Sequence, residues 1–140
     1  MPSAPAFILL VDDDPDFIEI NRAILEAQGY RVACAGEPDE ALEKMETEKP
    51  DLVVSDLMMS RLDSGFSLAQ RIKRDPRFGA IPVILVTAVS SHFSLDFRPR
   101  TPEDLAAMHA DGYFDKPVAA QALVAKIEEL LERARPRDKR

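Results

Sequence analysis

Three consecutive carboxylates, Asp12, Asp13 and Asp14, stand at the end of the apolar run FILLV (7–11), and another, Asp56, closes DLVVSD (51–56). Brought together, such groups repel unless one is protonated or a cation sits among them. A hard divalent ion relieves that repulsion, and Mg²⁺ commonly takes one or two carboxylates together with water and phosphate oxygens. An ionised aspartate is also a nucleophile, and toward phosphorus its product is an acyl phosphate. Such a transfer needs its equatorial oxygens neutralised, which an ammonium and a hydroxyl provide. Thr87 ends IPVILVT (81–87) and Lys116 ends GYFDK (112–116). Singly, each group is ordinary: an aspartate after an apolar run is usually a helix cap, and Lys-Pro a turn. Together, four run ends carry the groups that one chemistry requires.

The elements that must position these groups follow from the hydrophobic pattern. FILLV, RVACA (31–35), DLVVSD, IPVILVT and GYFDK read as strands, several too apolar to be half-exposed. Amphipathic stretches separate them. Asp14 is an N-cap with Pro15 at the first helical position, and a helix runs to about Gln28 with Phe17, Ile20, Ile24 and Ala27 on its inner face. Gly29 is its stop. Further helices are expected over 38–48, over 66–75 with Leu68, Ala69 and Ile72 inward, and over 119–134 with Leu123, Ile127, Leu130 and Ala134 inward. Strand–helix alternation repeated five times predicts an α/β fold with a parallel sheet covered on both faces. The flavodoxin-like, doubly wound (βα)5 order 2-1-3-4-5 suits five such strands. There strands 1 and 3 are neighbours, so their terminal carboxylates converge at the carboxyl end of the sheet, where ligands bind in open α/β folds.

Composition narrows the function classes. A formal net charge of −7 argues against direct DNA or RNA binding by bulk electrostatics. The basic residues of the tail, Arg133 to Arg140, read as a solvated C-terminus. No run approaches the ~20 apolar residues of a membrane span, and MPSAPAF lacks the form of a signal peptide. The lone Cys34 reads as a small buried hydrophobe, consistent with a reducing, cytoplasmic setting. His92 and His109 have no partners at ligand spacing, and Met45, Met58, Met59 and Met108 read as core or loop fillers.

FILLVDDDP, DLVVSDLMMSRLDSGF, IPVILVTA and DGYFDKPV resemble, in order and across nearly the whole chain, the signature blocks of response regulator receiver domains, the CheY-like switches of two-component systems. The resemblance implies that Asp56 is the phosphoacceptor, Asp13 a direct Mg²⁺ ligand, Asp12 a ligand acting through water, and Met58 a ligand through its backbone carbonyl. It implies that Lys116 contacts the phosphoryl group, that Thr87 and Tyr113 form the switch, and that the 116–117 bond is cis. The implied phosphoryl donor is a sensor histidine kinase or a histidine phosphotransfer protein, with a downstream protein target and a homodimer contact through the last helix. On this reading residues 7–134 form a single-domain switch, 1–6 an extension and 135–140 a tail.

The pattern departs from the family at Ser60, where proline is usual, at Gly65, one residue late, and between Thr87 and Lys116, where the chain is several residues longer. Phe93, Leu95 and Phe97 alternate through that added stretch. This suits an extended loop that reshapes the output face or equally one that covers the core, with a helix following over about 102–110. Apolar Met58 and Val89 imply slow self-dephosphorylation. A haloacid-dehalogenase-type phosphatase also uses aspartate, Mg²⁺, threonine and lysine, but Asp16 stands where its motif has threonine or valine and no acidic pair follows Lys116. A third reading is a degenerate, unphosphorylated binding module, disfavoured by the full set of active-site groups.

Overall fold

The computed structural model describes residues 5–56, 64–87, 110–115 and 118–134, without the side chains of 64–67, 87 and 134. Five strands, β1 (Phe7–Val11), β2 (Arg31–Ala35), β3 (Leu52–Asp56), β4 (Val83–Thr87) and β5 (Gly112–Asp115), form one parallel sheet in the order β2-β1-β3-β4-β5. The described helices are α1 (Pro15–Ala27), α2 (Pro38–Thr47), α3 (Ser64–Arg74) and α4 (Ala120–Ala134). This is the predicted flavodoxin-like order.

Alternation along the strands divides the core in two. Leu9, Val11, Val53, Val83 and Leu85 face one side, packing with Ala41 and Met45 of α2 and with Leu68, Ala69 and Ile72 of α3. Ile8, Leu10, Leu52, Val54, Ile84 and Val86 face the other, packing with Leu25 of α1 and with Leu123, Ile127 and Leu130 of α4. β1, β3 and β4 are therefore apolar on both faces, the signature of central parallel strands. Met45 is a core filler, as expected. Cys34 is half-buried rather than buried, packs on the second cluster, and has its thiol pKa pushed up by that burial.

Two further expectations are corrected. α1 buries Asn21 and Leu25, with Phe17 and Ile24 partly covered, whereas Ile20 is 60% exposed and Ala27 lies in solvent. Asn21 is tolerated inside because its Nδ2 donates to the Phe17 carbonyl one turn back, at 2.9 Å. The helical stripe thus lies about one residue away from the one that apolarity alone selects. Strand entrances also come later than expected: pairing begins at Leu52 and Val83, after Asp51 and Pro82. Pro82 has no N–H to give the ladder, though its carbonyl accepts from the Val53 N–H at 3.0 Å.

The ends of α1 fold as their sequence dictates. Asp14 caps it by accepting from the Asp16 N–H at 3.0 Å, with Pro15 at the first position. Gly29, at φ +96°, turns the chain out and donates to the Glu26 carbonyl at 2.9 Å. The proposed 102–110 helix, the 89–100 stretch and the 116–117 bond lie outside the described residues.

Candidate functional site

Register places the strand ends level with one another. Val11 pairs with Ser55, so Asp12 and Asp56 leave β1 and β3 side by side; Asp56 pairs with Val86 and Thr87 with Asp115. The polar ends of β1, β3, β4 and β5 thus share one edge of the sheet.

Asp12, Asp13 and Asp56 converge there, each offering a carboxylate oxygen within 4.8 Å of the others. Asp12 is 2% exposed and Asp56 6%, whereas Asp13 lies in solvent. Two of the clustered acids are thus buried and the third is open to solvent. Asp12 is fixed from both sides: its N–H donates to the Ala35 carbonyl at 3.0 Å, and its Oδ1 accepts from the Asp14 N–H at 2.8 Å. These bonds turn the chain sharply between β1 and α1, so that Asp13 projects beside the β3 end. Beneath Asp56, the Ser55 hydroxyl donates to the Asp56 carbonyl at 3.0 Å.

Three carboxylates so close, two of them shielded from water, carry a repulsion that a divalent cation relieves. Their all-oxygen donor set fits a hard ion such as Mg²⁺, with room left at the exposed side for water or phosphate oxygens. The sequence-predicted trio is therefore brought together. Thr87 is placed by its backbone on the adjacent strand end, and Tyr113 lies on β5. Met58, Lys116 and the side chain of Thr87 lie outside the described residues.

Sequence reasoning passed over Asp115. Its Oδ1 accepts the Tyr113 hydroxyl at 3.1 Å, and its backbone is in register with Thr87. The available signal was its spacing, two residues after Tyr113 and therefore on the same face of the strand.

A parallel (βα) sheet with three acids gathered at the carboxyl ends of its first and third strands places the chain among doubly wound α/β domains whose acid cluster suits a hard cation. The chain belongs to the response regulator receiver domain family, which it matches over residues 8–128. It is 32% identical over 127 residues to the alkaline phosphatase synthesis transcriptional regulatory protein PhoP of Bacillus subtilis, covering 91% of this chain and 49% of that protein. Against the transcriptional regulatory protein GlrR of Escherichia coli it is 36% identical over 138 residues, covering 97% of this chain and 28% of that one. The chain thus spans about half or less of these relatives. Among solved structures it resembles a CheY-like receiver domain protein from Methanospirillum hungatei, with TM-score 0.75, 27% identity and coverage of 93% and 96%. The receiver domain of a signal transduction histidine kinase from Syntrophus aciditrophicus gives 0.77, 29%, and 96% and 97%. Receiver domains are phosphorylated signalling switches that work with histidine kinases or phosphotransfer proteins. Among the described residues, no helix is long and apolar enough to cross a membrane.

Proposed function

We propose that this chain is a phosphorylation switch that takes a phosphoryl group onto Asp56 from a phosphohistidine of a sensor kinase or phosphotransfer protein. The observation that carries the reading is the convergence of Asp12, Asp13 and Asp56 at the adjoining ends of β1 and β3. An Asp56 oxygen attacks phosphorus and forms the new P–O bond as the P–N bond to imidazole breaks; the departing imidazole keeps the electron pair and gains a proton from water. Asp12 and Asp13, with Asp56 and the Met58 carbonyl, would hold Mg²⁺. When bound, the ion supplies positive charge to the transferring oxygens. Lys116 and Thr87 supply an ammonium and a hydroxyl to the same oxygens, and Thr87 with Tyr113 passes the change to the surface. The product is a conformational state read by a downstream protein rather than a released metabolite.

The test is intact mass after incubation with Mg²⁺ and a small acyl phosphate, followed by peptide mapping. A single phosphoryl adduct on Asp56 is expected. Turnover without an adduct would point to a phosphatase, no reaction to a binding module, and an adduct on Asp12 or Asp13 to a different acceptor.

A further inference from the structure

Asp115 closes β5, and its Oδ1 accepts the Tyr113 hydroxyl at 3.1 Å. Residues two apart on a strand share a face, roughly 7 Å from one another, and their side chains stand nearly perpendicular to the sheet. A phenol reaches the carboxylate two residues on only by leaning along the strand toward its carboxyl end. That direction leads to the acid site. Asp115 is in register with Thr87, and Asp56 pairs with Val86 one strand further in. Both Tyr113 and Asp115 are half-buried, and the Tyr113 ring packs against the core cluster shared by α2 and α3. The ring thus packs at its base against the core, and its hydroxyl at the tip donates to an acid.

We propose that Asp115 is a positioning residue for Tyr113, holding the ring in its resting orientation and so setting how readily the domain enters its activated state. This rests on the reading of Asp56 as phosphoacceptor and of Tyr113 as the aromatic that responds to it. Two effects of Asp115 compete to explain such control. Direct repulsion of a phosphoryl group on Asp56 acts across about two strand spacings, ~10 Å, which is about a Debye length at moderate salt. The hydrogen bond acts at contact, and its loss shifts a resting-to-activated ratio roughly threefold to tenfold. The bond therefore dominates, and a neutral acceptor should substitute for the charge.

The experiment uses the full chain with Tyr30→Phe, which leaves Tyr113 as the one tyrosine of the original two, labelled as 3-fluorotyrosine. Fluorine NMR is recorded with and without beryllofluoride and Mg²⁺ for this background and for Asp115→Val and Asp115→Asn added to it. Asp115→Val keeps a strand-forming side chain without an acceptor, whereas Asp115→Asn keeps the acceptor oxygen. Without beryllofluoride, the Asp115→Val resonance should lie displaced toward the position the background protein reaches with it, and Asp115→Asn should stay at rest. The initial rate of phosphorylation by acetyl phosphate should rise at least threefold in Asp115→Val alone. An unmoved Asp115→Val resonance overturns the proposal, as does an Asp115→Asn resonance that moves equally, or a moved ring with an unchanged rate. If the background protein takes no phosphoryl group, the phosphoacceptor reading fails instead. The resonances without beryllofluoride then still decide whether Asp115 positions the ring.

Discussion

The two ends of the sheet use the same kind of side chain, the carboxylate, for opposite purposes. At the amino end, acids meet donors. Asp51 accepts the Phe7 N–H at 2.7 Å, and Asp111 accepts Lys73 Nζ at 2.8 Å and the Val83 N–H at 2.9 Å. Glu48 pairs with Arg31, which also lies over the Phe7 ring, and Glu46 and Asp75 share Arg77. At the carboxyl end, Asp12, Asp13 and Asp56 are gathered against one another. Acids at the amino end are fastened to donors of the fold, whereas Asp12, Asp13 and Asp56 crowd one another where a cation and a phosphoryl group are proposed to be received. Burial alone does not make this separation, since Asp13 and Asp51 are both exposed.

The largest expected effect lies at the carboxyl end. Asp56→Asn should abolish the phosphoryl adduct while leaving the fold intact, because the change is isosteric and removes only the nucleophile. Intact mass with acetyl phosphate checks the first point and circular dichroism the second. A retained adduct would move the chemistry to another acid.

Much of this contrast could be read from sequence, and the unread part has a physical pattern. Strands announced themselves because β1, β3 and β4 are buried on both faces, and Asp12, Asp13 and Asp56 fell where apolar runs stop. α1 misled because Asn21 satisfies its amide within its own helix and enters the core, while Ile20 remains outside; an apolarity count sees neither fact. The amino-end fastenings were invisible for a different reason. Lys73 and Asp111 are 38 positions apart, and Arg77 and Glu46 31 apart, so only the closed sheet makes them neighbours.

The Lys73–Asp111 link gives the next effect. Lys73→Met keeps the aliphatic stem but removes the donor to both Asp111 and the Ile81 carbonyl, a bond also of 2.8 Å. The pair is only partly covered, so about 1–2 kcal/mol of stability should be lost, read as a lower urea midpoint at unchanged slope. Phosphorylation of the folded variant should proceed at the native rate. A loss of adduct in folded Lys73→Met would break the division between the two ends.

A smaller effect, of opposite sign, is expected at the acid pocket. Two charges 4.8 Å apart repel by about 3 kcal/mol at an effective dielectric of 20, and the open side of the pocket reduces what is felt. With divalent ions chelated, Asp56→Asn should therefore be more stable than the native protein by about 1 kcal/mol. Mg²⁺ should stabilise the native protein more than the variant, narrowing or reversing the gap. Equal stability in chelator would show that the three acids are not in tension.

The smallest effect tests whether the amino-end ion pairs fasten anything at all. Arg77 binds Glu46 at 2.7 and 2.8 Å and Asp75 at 2.7 and 3.1 Å, and its guanidinium lies 4.7 Å from the Phe78 ring. Hydrogen bonds from Arg77 hold both carboxyls below their ordinary range, and the Arg77 pKa is raised in return by Asp75 and then Glu46. Arg77 and Glu46 are solvent-exposed and Asp75 is half-covered, and pairs open to water are weakened by it and by salt, so the contribution is small. Its sign is fixed by linkage. A carboxyl whose pKa is depressed in the folded state adds stability that is fully present above its unfolded value, about 4, and is lost as pH falls through the depressed value. Arg77→Gln should therefore lower the urea midpoint slightly at pH 7, and the difference should fade as the medium is acidified below pH 4. Raising salt at pH 7 should shrink it too. A difference that persists unchanged in acid would assign the role of Arg77 to its stacking on Phe78, which does not titrate, and not to its acids.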